Sequence, residues 1–175
     1  PTPVPGIDVL DLRAGDSVAV TGVIIFFGNE SEITPINIDL IDQGRDVFVT
    51  PINVSDLNDD TQTNQLETGE QWEGSYVELT NLRVDSRSFF SGGNRVSLIC
   101  SDQDGNLVNI SDRFLASRLP ANGGDFVPPP PNAVFDTIRG VVAHSANGCT
   151  GAGGRGYEIY PFKSEDYVIG VSPPF

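Results

Sequence analysis

Short apolar stretches separated by turn-forming residues run along the whole chain, and this pattern predicts an all-β fold. Residues 17–27 are rich in β-branched side chains, among which Val18, Val20 and Ile24 alternate on one face, with Gly22 between them. Such alternation predicts a β-strand, and the glycine indicates a bulge or a close backbone approach. Residues 32–41 return as a second strand, in which Pro35 favours an edge position because proline cannot donate a ladder hydrogen bond.

The second half of the chain shows the same strand pattern, with one interruption. In the strand predicted over residues 76–84, the apolar phase changes between Leu79 and Leu82, and a β-bulge near Asn81 restores it. Further strands are predicted over residues 137–143 and 156–161 and on both sides of an Asp-Gly turn that precedes them. We expect one shared core made of Val77, Leu79, Leu82, Val84, Val96, Leu98, Val142 and Ile159.

Changes in composition along the 175 residues predict five segments. A proline-rich extended arm (1–6) precedes a first strand-rich part (7–54), a polar and acidic connection (55–70), a second strand-rich part (71–170) and a short tail (171–175). Hydrophobic residues make up 38% of the chain, which is sufficient for a core at this length. A chain that opens with proline is expected to be a processed or truncated form.

The charge balance disfavours one class of partner. The chain has 24 acidic and 10 basic residues, giving a net charge of −14. Such a surface repels phosphate backbones, so nucleic-acid binding is not expected, whereas carbohydrate binding stays open. No apolar run approaches the roughly 20 residues that a membrane-spanning helix needs.

The sequence offers no convincing catalytic set, and we expect a non-enzymatic protein. His144 is the only histidine, and the adjacent Ser145 cannot face it on a strand, so a Ser-His-Asp triad is disfavoured and a two-histidine metal site is excluded. An exposed position at a strand end is the expected role of His144. Residues 151–156 match G-x-G-x-x-G, but they precede a strand instead of opening a helix, and we interpret them as a hairpin loop.

One pattern in the sequence is typical of part of a calcium-binding loop, and calcium is the only cofactor that the sequence suggests. Asp102 and Asp104 belong to an Asp-Gln-Asp-Gly-Asn stretch that matches half of a calcium loop without its distant bidentate glutamate. A plain hairpin turn is the favoured alternative. A second place to look for calcium is the group Asp56, Asp59 and Asp60.

Two groups of residues are candidates for binding or modification sites. Trp72, Phe89 and Phe90 are candidates for a platform that stacks on sugars or bases, with packing in the core or a loop as the favoured alternative. Five residues match short glycosylation patterns: Asn29, Asn53 and Asn109 as N-glycan acceptors, and Ser17 and Thr137 as O-glycan acceptors.

Several short patches along the chain share a recognisable pattern: Gly15-Asp16, Thr21-Gly22, Glu32-Ile33, Trp72-Glu73-Gly74, Gly140, the run 158–161 and the run 165–167. These patches resemble OB-fold-type modules of secreted bacterial proteins, such as Bacteroidetes-type surface proteins and proteins associated with extracellular nucleases. The resemblance implies OB-like Greek-key barrels, one near-complete unit (71–170) preceded by a partial one (7–54), in an extracellular or cell-surface protein. None of these patches is catalytic.

The resemblance has two consequences. In such modules the part that resembles residues 12–42 is completed by earlier strands, which this chain lacks, so either residues 43–54 or another polypeptide supplies them. Export also favours a disulfide between Cys100 and Cys149, with two buried free thiols as the alternative.

These observations lead to one expected function and one alternative. We expect an exported, non-enzymatic structural or adhesive surface protein, the subunit of a homo-oligomer or extracellular fibre formed through strand edges and the N-terminal arm. A monomer whose edge is covered by residues 43–54 is the competing arrangement. The alternative function is a carbohydrate- or nucleic-acid-binding accessory module of a larger secreted enzyme.

Overall fold

The computed structural model describes residues 6–27, 30–144 and 155–170, and strands dominate the described residues, as the all-β prediction requires. The strands are β1 (Ser17–Phe27), β2 (Glu30–Asp42), β3 (Thr50–Pro51), β4 (Tyr76–Phe90), β5 (Arg95–Ser101), β6 (Leu107–Ser111), β7 (Val134–His144), β8 (Tyr157–Tyr160) and β9 (Tyr167–Ile169). One short α-helix, α1, covers Leu66–Gly69. Single 3-10 turns cover Val9–Asp11, Val54–Asp56, Glu70–Trp72, Ser91–Gly93, Leu115–Ser117, Pro120–Asn122 and Ser164–Asp166.

The chain forms two compact units, which we call the ribbon unit (Pro1–Phe48) and the barrel unit (Val49–Phe175). The boundary therefore lies before residue 49. Residues 49–70, which the sequence assigns partly to the first β unit and partly to a connection, belong to the barrel unit.

The ribbon unit contains a two-stranded antiparallel sheet of β1 and β2. The register shifts between Thr21 and Gly22, where Gly22 lies opposite Pro35. A Cβ atom on Gly22 would lie 2.4 Å from the backbone oxygen of Thr34, which leaves no room for a side chain. The bulge and the close backbone approach predicted at Gly22 are both confirmed.

The barrel unit is a closed five-stranded barrel with the strand order β4-β5-β6-β8-β7, closed by pairing of β7 with β4. All neighbours are antiparallel except β6 and β8, which are parallel. This is the strand order of an OB fold, so the predicted OB-like barrel is confirmed. Two short strands extend the sheet: β3 pairs with β4, and β9 pairs with β7.

The eight residues predicted to share a core are all buried in the cluster that fills the barrel. The phase change predicted in β4 is also present, since Thr80 and Asn81 are exposed between buried Leu79 and Leu82. Asn81 adopts a left-handed conformation, with φ of 55°. Both strands are irregular at this point. The pair Thr80–Thr137 is followed directly by the pair Leu82–Phe135, so Asn81 of β4 and Asp136 of β7 are both left out of the β4–β7 pairing.

The segment 49–70 packs into the core of the barrel unit. Val54 and Leu57 belong to the buried core, and Leu57 is completely inaccessible. The neighbouring Asn58 is equally buried and hydrogen-bonds to the backbone of Leu107 and Tyr157. The polar composition of the segment does not indicate this role, because its apolar contribution to the core is small: buried Val54 and Leu57, with partly buried Ile52 packed against the core.

Candidate functional site

An exposed apolar surface lies at one end of the ribbon, at residues 23–27, which we call the apolar run. Because alternate residues of a strand point to opposite faces, Ile24 and Phe26 lie on one face and Val23, Ile25 and Phe27 on the other. Every one of these side chains is exposed, up to 82% for Phe26. Within the described residues, β1 therefore presents exposed apolar side chains on both faces of the ribbon.

The two outer edges of the ribbon differ. The β2 edge is interrupted by Pro35 and is contacted at Ile38, where Gly6 forms a parallel bridge and the Ile7 N–H donates to the Ile38 carbonyl at 3.2 Å. The β1 edge carries neither a proline nor a charged residue. Among residues 6–27 and 30–48, no strand pairs with it other than β2. The open edge of the ribbon is that of β1.

This arrangement bears on the alternatives left open by the sequence. Residues 43–54 do not cover the ribbon as a third strand, since their strand, β3, pairs with β4 at Val77 and Glu78. The arm was predicted to reach a neighbouring subunit, and its last residue, Gly6, bridges to β2 of its own chain. Residues 1–5 and 171–175 lie outside the described residues.

The structure does not bring the three candidate stacking residues together. Trp72 is partly buried and packs against the barrel core before β4 begins, whereas Phe89 and Phe90 lie at the far end of that 15-residue strand. Phe89 is half exposed, with the Arg87 guanidinium 5.8 Å from its ring centre. Arg95 lies 4.8 Å from the ring centre of Phe90.

The acidic residues considered for calcium have structural partners in their own loops. The Asp102 carboxylate accepts hydrogen bonds from the backbone N–H groups of Asp104 and Asn106 and from the Asn106 amide. Hydrogen bonds from the Thr61 hydroxyl and the Thr63 N–H hold the pKa of Asp59 below its ordinary value. Asp56 accepts the N–H of Asn53. These contacts give Asp102, Asp59 and Asp56 a role in forming their turns, and calcium at Asp102 and Asp104 stays a prediction.

Burial separates the candidate glycosylation sites. Asn109 is completely inaccessible in β6, and this burial argues against a glycan on Asn109 in the folded chain. Asn53 is exposed, and Ser17 and Thr137 are half-buried in strands. Asn29 lies outside the described residues.

Cys100 is a free thiol, completely buried in β5, and Cys149 lies outside the described residues. The predicted Cys100–Cys149 disulfide therefore has no support in the structure. Burial, and to a smaller extent the charge of Asp85, raises the pKa of the Cys100 thiol. Because the thiolate is the reactive form, Cys100 is chemically inert in the folded barrel.

Iodoacetamide is expected to leave Cys100 unmodified in the folded protein and to alkylate it after denaturation without reductant. Mass spectrometry of the Cys100 peptide measures both outcomes, and a reduced, denatured sample gives the value for complete labelling. Protection that survives denaturation and disappears only on reduction would establish a disulfide instead.

His144 is not the exposed strand-end residue that the sequence predicts. It is buried at the end of β7, with its ring stacked on that of Tyr157 at 4.5 Å between centres. Its Nδ1 atom lies 3.9 Å from Oε2 of Glu73, and the Tyr157 hydroxyl donates to Oε2 of Glu70 at 2.9 Å. One potential metal-ligand atom from each of Glu70, Glu73 and His144 lies within 4.8 Å of the others. The only histidine thus belongs to a mixed cluster with two carboxylates, which we call the His–Glu cluster.

Of the predicted glycine-rich loop, only Arg155 and Gly156 are among the described residues. The Arg155 guanidinium donates to the Ser97 hydroxyl at 3.2 Å. A Cβ atom on Gly156 would lie 2.1 Å from Oδ1 of Asn58, and its φ of 61° also favours glycine. Gly156 therefore has a structural role beside Asn58.

Two further findings concern membrane-spanning helices and similarity to known proteins. Within the described parts of the chain, no helix has the length and apolar character needed to cross a membrane. Comparison of the chain with protein-family models, curated proteins and solved structures finds no match, so the function must be argued from the residues of this chain itself.

Proposed function

We propose that this chain is a non-enzymatic structural or adhesive subunit of an exported or surface-attached assembly, and that a second copy of the chain covers its ribbon. The observation that carries the proposal is the apolar run, whose five side chains are exposed on both faces of a two-stranded sheet. The cell-surface location rests on the resemblance of the sequence to modules of secreted bacterial proteins.

An isolated two-stranded ribbon is at best marginally stable in water. A continuous apolar run is typical of a strand that is buried on both faces, since a strand with one solvated face alternates apolar and polar residues. The ribbon combines these two features, because Val23 to Phe27 are all apolar and all exposed. Its sequence therefore suits a sheet that is completed by association.

The open β1 edge favours a second copy of this chain as the partner. β1 carries no charged residue, so two β1 strands can pair antiparallel without opposing like charges. Pairing through β2 would bring together the acidic residues Glu32, Asp39 and Asp42 of both copies. Pairing of β1 with β1 gives a four-stranded sheet with two-fold symmetry, whereas pairing of β1 with the next β2 continues into a fibre.

The accessory-module alternative has one observation in its favour. Phe89 is half exposed next to Arg87 at the end of β4, and an aromatic ring beside a guanidinium can stack on a sugar. The net charge of −14 directs this alternative to carbohydrate and away from nucleic acid. It involves one exposed ring, whereas the ribbon exposes five apolar side chains.

Light scattering over a concentration series tests the proposal. The native chain is expected to show at least twice its 18.7 kDa mass, and the double variant Ile24→Lys, Phe26→Lys is expected to show the mass of one chain. Both side chains are exposed, so their replacement leaves the barrel core intact, and fluorescence of the single tryptophan, Trp72, checks this.

The matched control is Val127→Lys, which also places a charge at an exposed apolar position but in the barrel unit. It is expected to associate like the native chain. A native chain that stays monomeric at every concentration, or a ribbon variant that associates as the control does, would refute the proposal. Electron microscopy of the native material distinguishes closed dimers from fibres.

A further inference from the structure

We propose that Glu70, Glu73 and His144 bind one divalent transition-metal ion of the zinc class. The three residues belong to the barrel unit and combine one imidazole with two carboxylates. The proposal is independent of the ribbon, so its failure leaves the proposed assembly function unaffected.

The backbone places the two carboxylates on the same side of a turn. Glu70–Trp72 form a 3-10 turn that Glu73 ends, with the Glu73 N–H donating to the Glu70 carbonyl at 3.2 Å. Side chains three residues apart are eclipsed in a 3-10 turn, so Glu70 and Glu73 project in the same direction.

The same turn is fixed to the strand that ends in His144. Glu73 forms a parallel bridge with Val142, two residues before the histidine, and the Gly74 N–H donates to the Val142 carbonyl at 2.8 Å. These backbone contacts keep Glu73 beside the end of β7, where Nδ1 of His144 lies 3.9 Å from its Oε2.

Tyr157 orients the other two ligands. Its ring stacks on the His144 imidazole with an interplanar angle of 18°, and its hydroxyl donates to Oε2 of Glu70. Outer partners of this kind hold metal ligands in position in many metal sites. A Cβ atom on Gly69 would lie 2.5 Å from Cε2 of Tyr157, so the residue before Glu70 packs directly against that ring. The cluster is thus held from the turn, from β7 and from β8.

The distances fit a zinc-sized ion after a small adjustment. Zinc binds histidine nitrogen and carboxylate oxygen at about 2.0–2.2 Å, so two ligand atoms on a tetrahedral ion lie about 3.4 Å apart. The ligand atoms here lie within 4.8 Å of one another. Rotation of the exposed Glu70 and the half-buried Glu73 side chains supplies the remaining approach, while the buried His144 stays in place.

The chemical nature of the three ligands determines which type of metal ion fits the site. Calcium needs six to eight oxygen ligands, whereas an imidazole nitrogen with carboxylates suits zinc and related first-row ions. Three protein ligands, one of them exposed, leave the fourth position of a tetrahedral ion to solvent. A bound ion would connect the turn at Glu70–Trp72 with the end of β7 and stabilise the folded barrel by mass action.

Isothermal titration with zinc chloride alone tests the site. The full chain is produced without a polyhistidine tag, stripped with a chelator and freed of it before titration. We expect one zinc ion per chain, and we expect Glu70→Gln, Glu73→Gln and His144→Gln each to weaken binding at least about tenfold. Cobalt(II) is expected to give a visible absorption band with the native chain that is lost in His144→Gln.

Glu67→Gln is the matched control, since it removes one exposed carboxylate three residues from Glu70 with the same change in charge. It is expected to bind zinc as the native chain does. If His144→Gln does not fold, Glu70→Gln decides, because its side chain is exposed and glutamine can still accept the Tyr157 hydroxyl. No zinc binding, binding of several ions per chain, or equal affinity of Glu70→Gln and Glu67→Gln would overturn the proposal.

Discussion

Replacing Asn58 with alanine is expected to lower the free energy of unfolding of the barrel unit by about 3 kcal/mol or more. The Asn58 side chain is completely buried, and its Nδ2 atom donates to the carbonyls of Leu107 and Tyr157 at 3.0 and 2.9 Å. Its Oδ1 atom accepts the Tyr157 N–H at 2.8 Å. Alanine leaves these three backbone groups without their partner, and each buried unsatisfied group costs about 1–3 kcal/mol.

The position of Asn58 explains why this loss is large. β6 and β8 pair in parallel only at Asn109–Glu158 and Ile110–Ile159. On the N-terminal side of these two pairs, the Asn58 side-chain amide takes the place of the hydrogen bonds between the strands. It bonds to Leu107 in β6 and to Tyr157 in β8. The side chain therefore completes the closure of the barrel at its one parallel seam.

Urea unfolding followed by Trp72 fluorescence measures the effect. Asn94→Ala is the control, since Asn94 is exposed beside a 3-10 turn, and a change within about 0.5 kcal/mol is expected there. Equal stabilities of Asn58→Ala and Asn94→Ala would show that the seam does not depend on the amide.

The strands and the core could be predicted from the sequence because their signals are local. In β4, buried Val77, Leu79, Leu82 and Val84 follow the two-residue period apart from the single slip at Asn81. The glycine signal at Gly22 was equally local, since a bulge requires it where Thr34 approaches. In both cases the signal that predicted the structure lay within a single strand.

The role of residues 49–70 could not be predicted in this way. The segment is mostly polar, and this composition is typical of a connection between domains. Two apolar residues at a spacing of three, Val54 and Leu57, were the available signal. Whether such a pair enters a core depends on strands far along the chain, and the sequence pattern does not contain that contact.

The His–Glu cluster could not be predicted from the sequence either, because its residues are brought together by contacts between distant parts of the chain. The local sequence indicates an exposed His144, because this residue stands beside Ser145 at the end of a predicted strand. The exclusion of a two-histidine site does not apply to a cluster that combines one histidine with carboxylates. Glu70 and Glu73 precede β4, and only the pairing of this turn with Val142 brings them to the end of β7.

Replacing Leu57 with alanine is expected to destabilise the barrel unit by about 2–5 kcal/mol, the range for a large apolar side chain deleted from a core. Leu57 is completely inaccessible and belongs to the same cluster as the strand residues. The backbone on both sides of Leu57 is held by hydrogen bonds, so the segment cannot collapse freely into the cavity. Its N–H donates to the Val54 carbonyl at 2.8 Å, and its own carbonyl accepts the Gln65 N–H at 2.7 Å.

Leu66→Ala gives the decisive comparison, because Leu66 lies in the same polar segment but is 58% exposed at the start of α1. Urea unfolding is expected to show a change within about 0.5 kcal/mol for this variant. A segment that only connected two units would give small and similar changes at both positions. A large loss at Leu57 together with a small one at Leu66 would instead establish that residues 49–70 are an integral part of the barrel core, despite their polar composition.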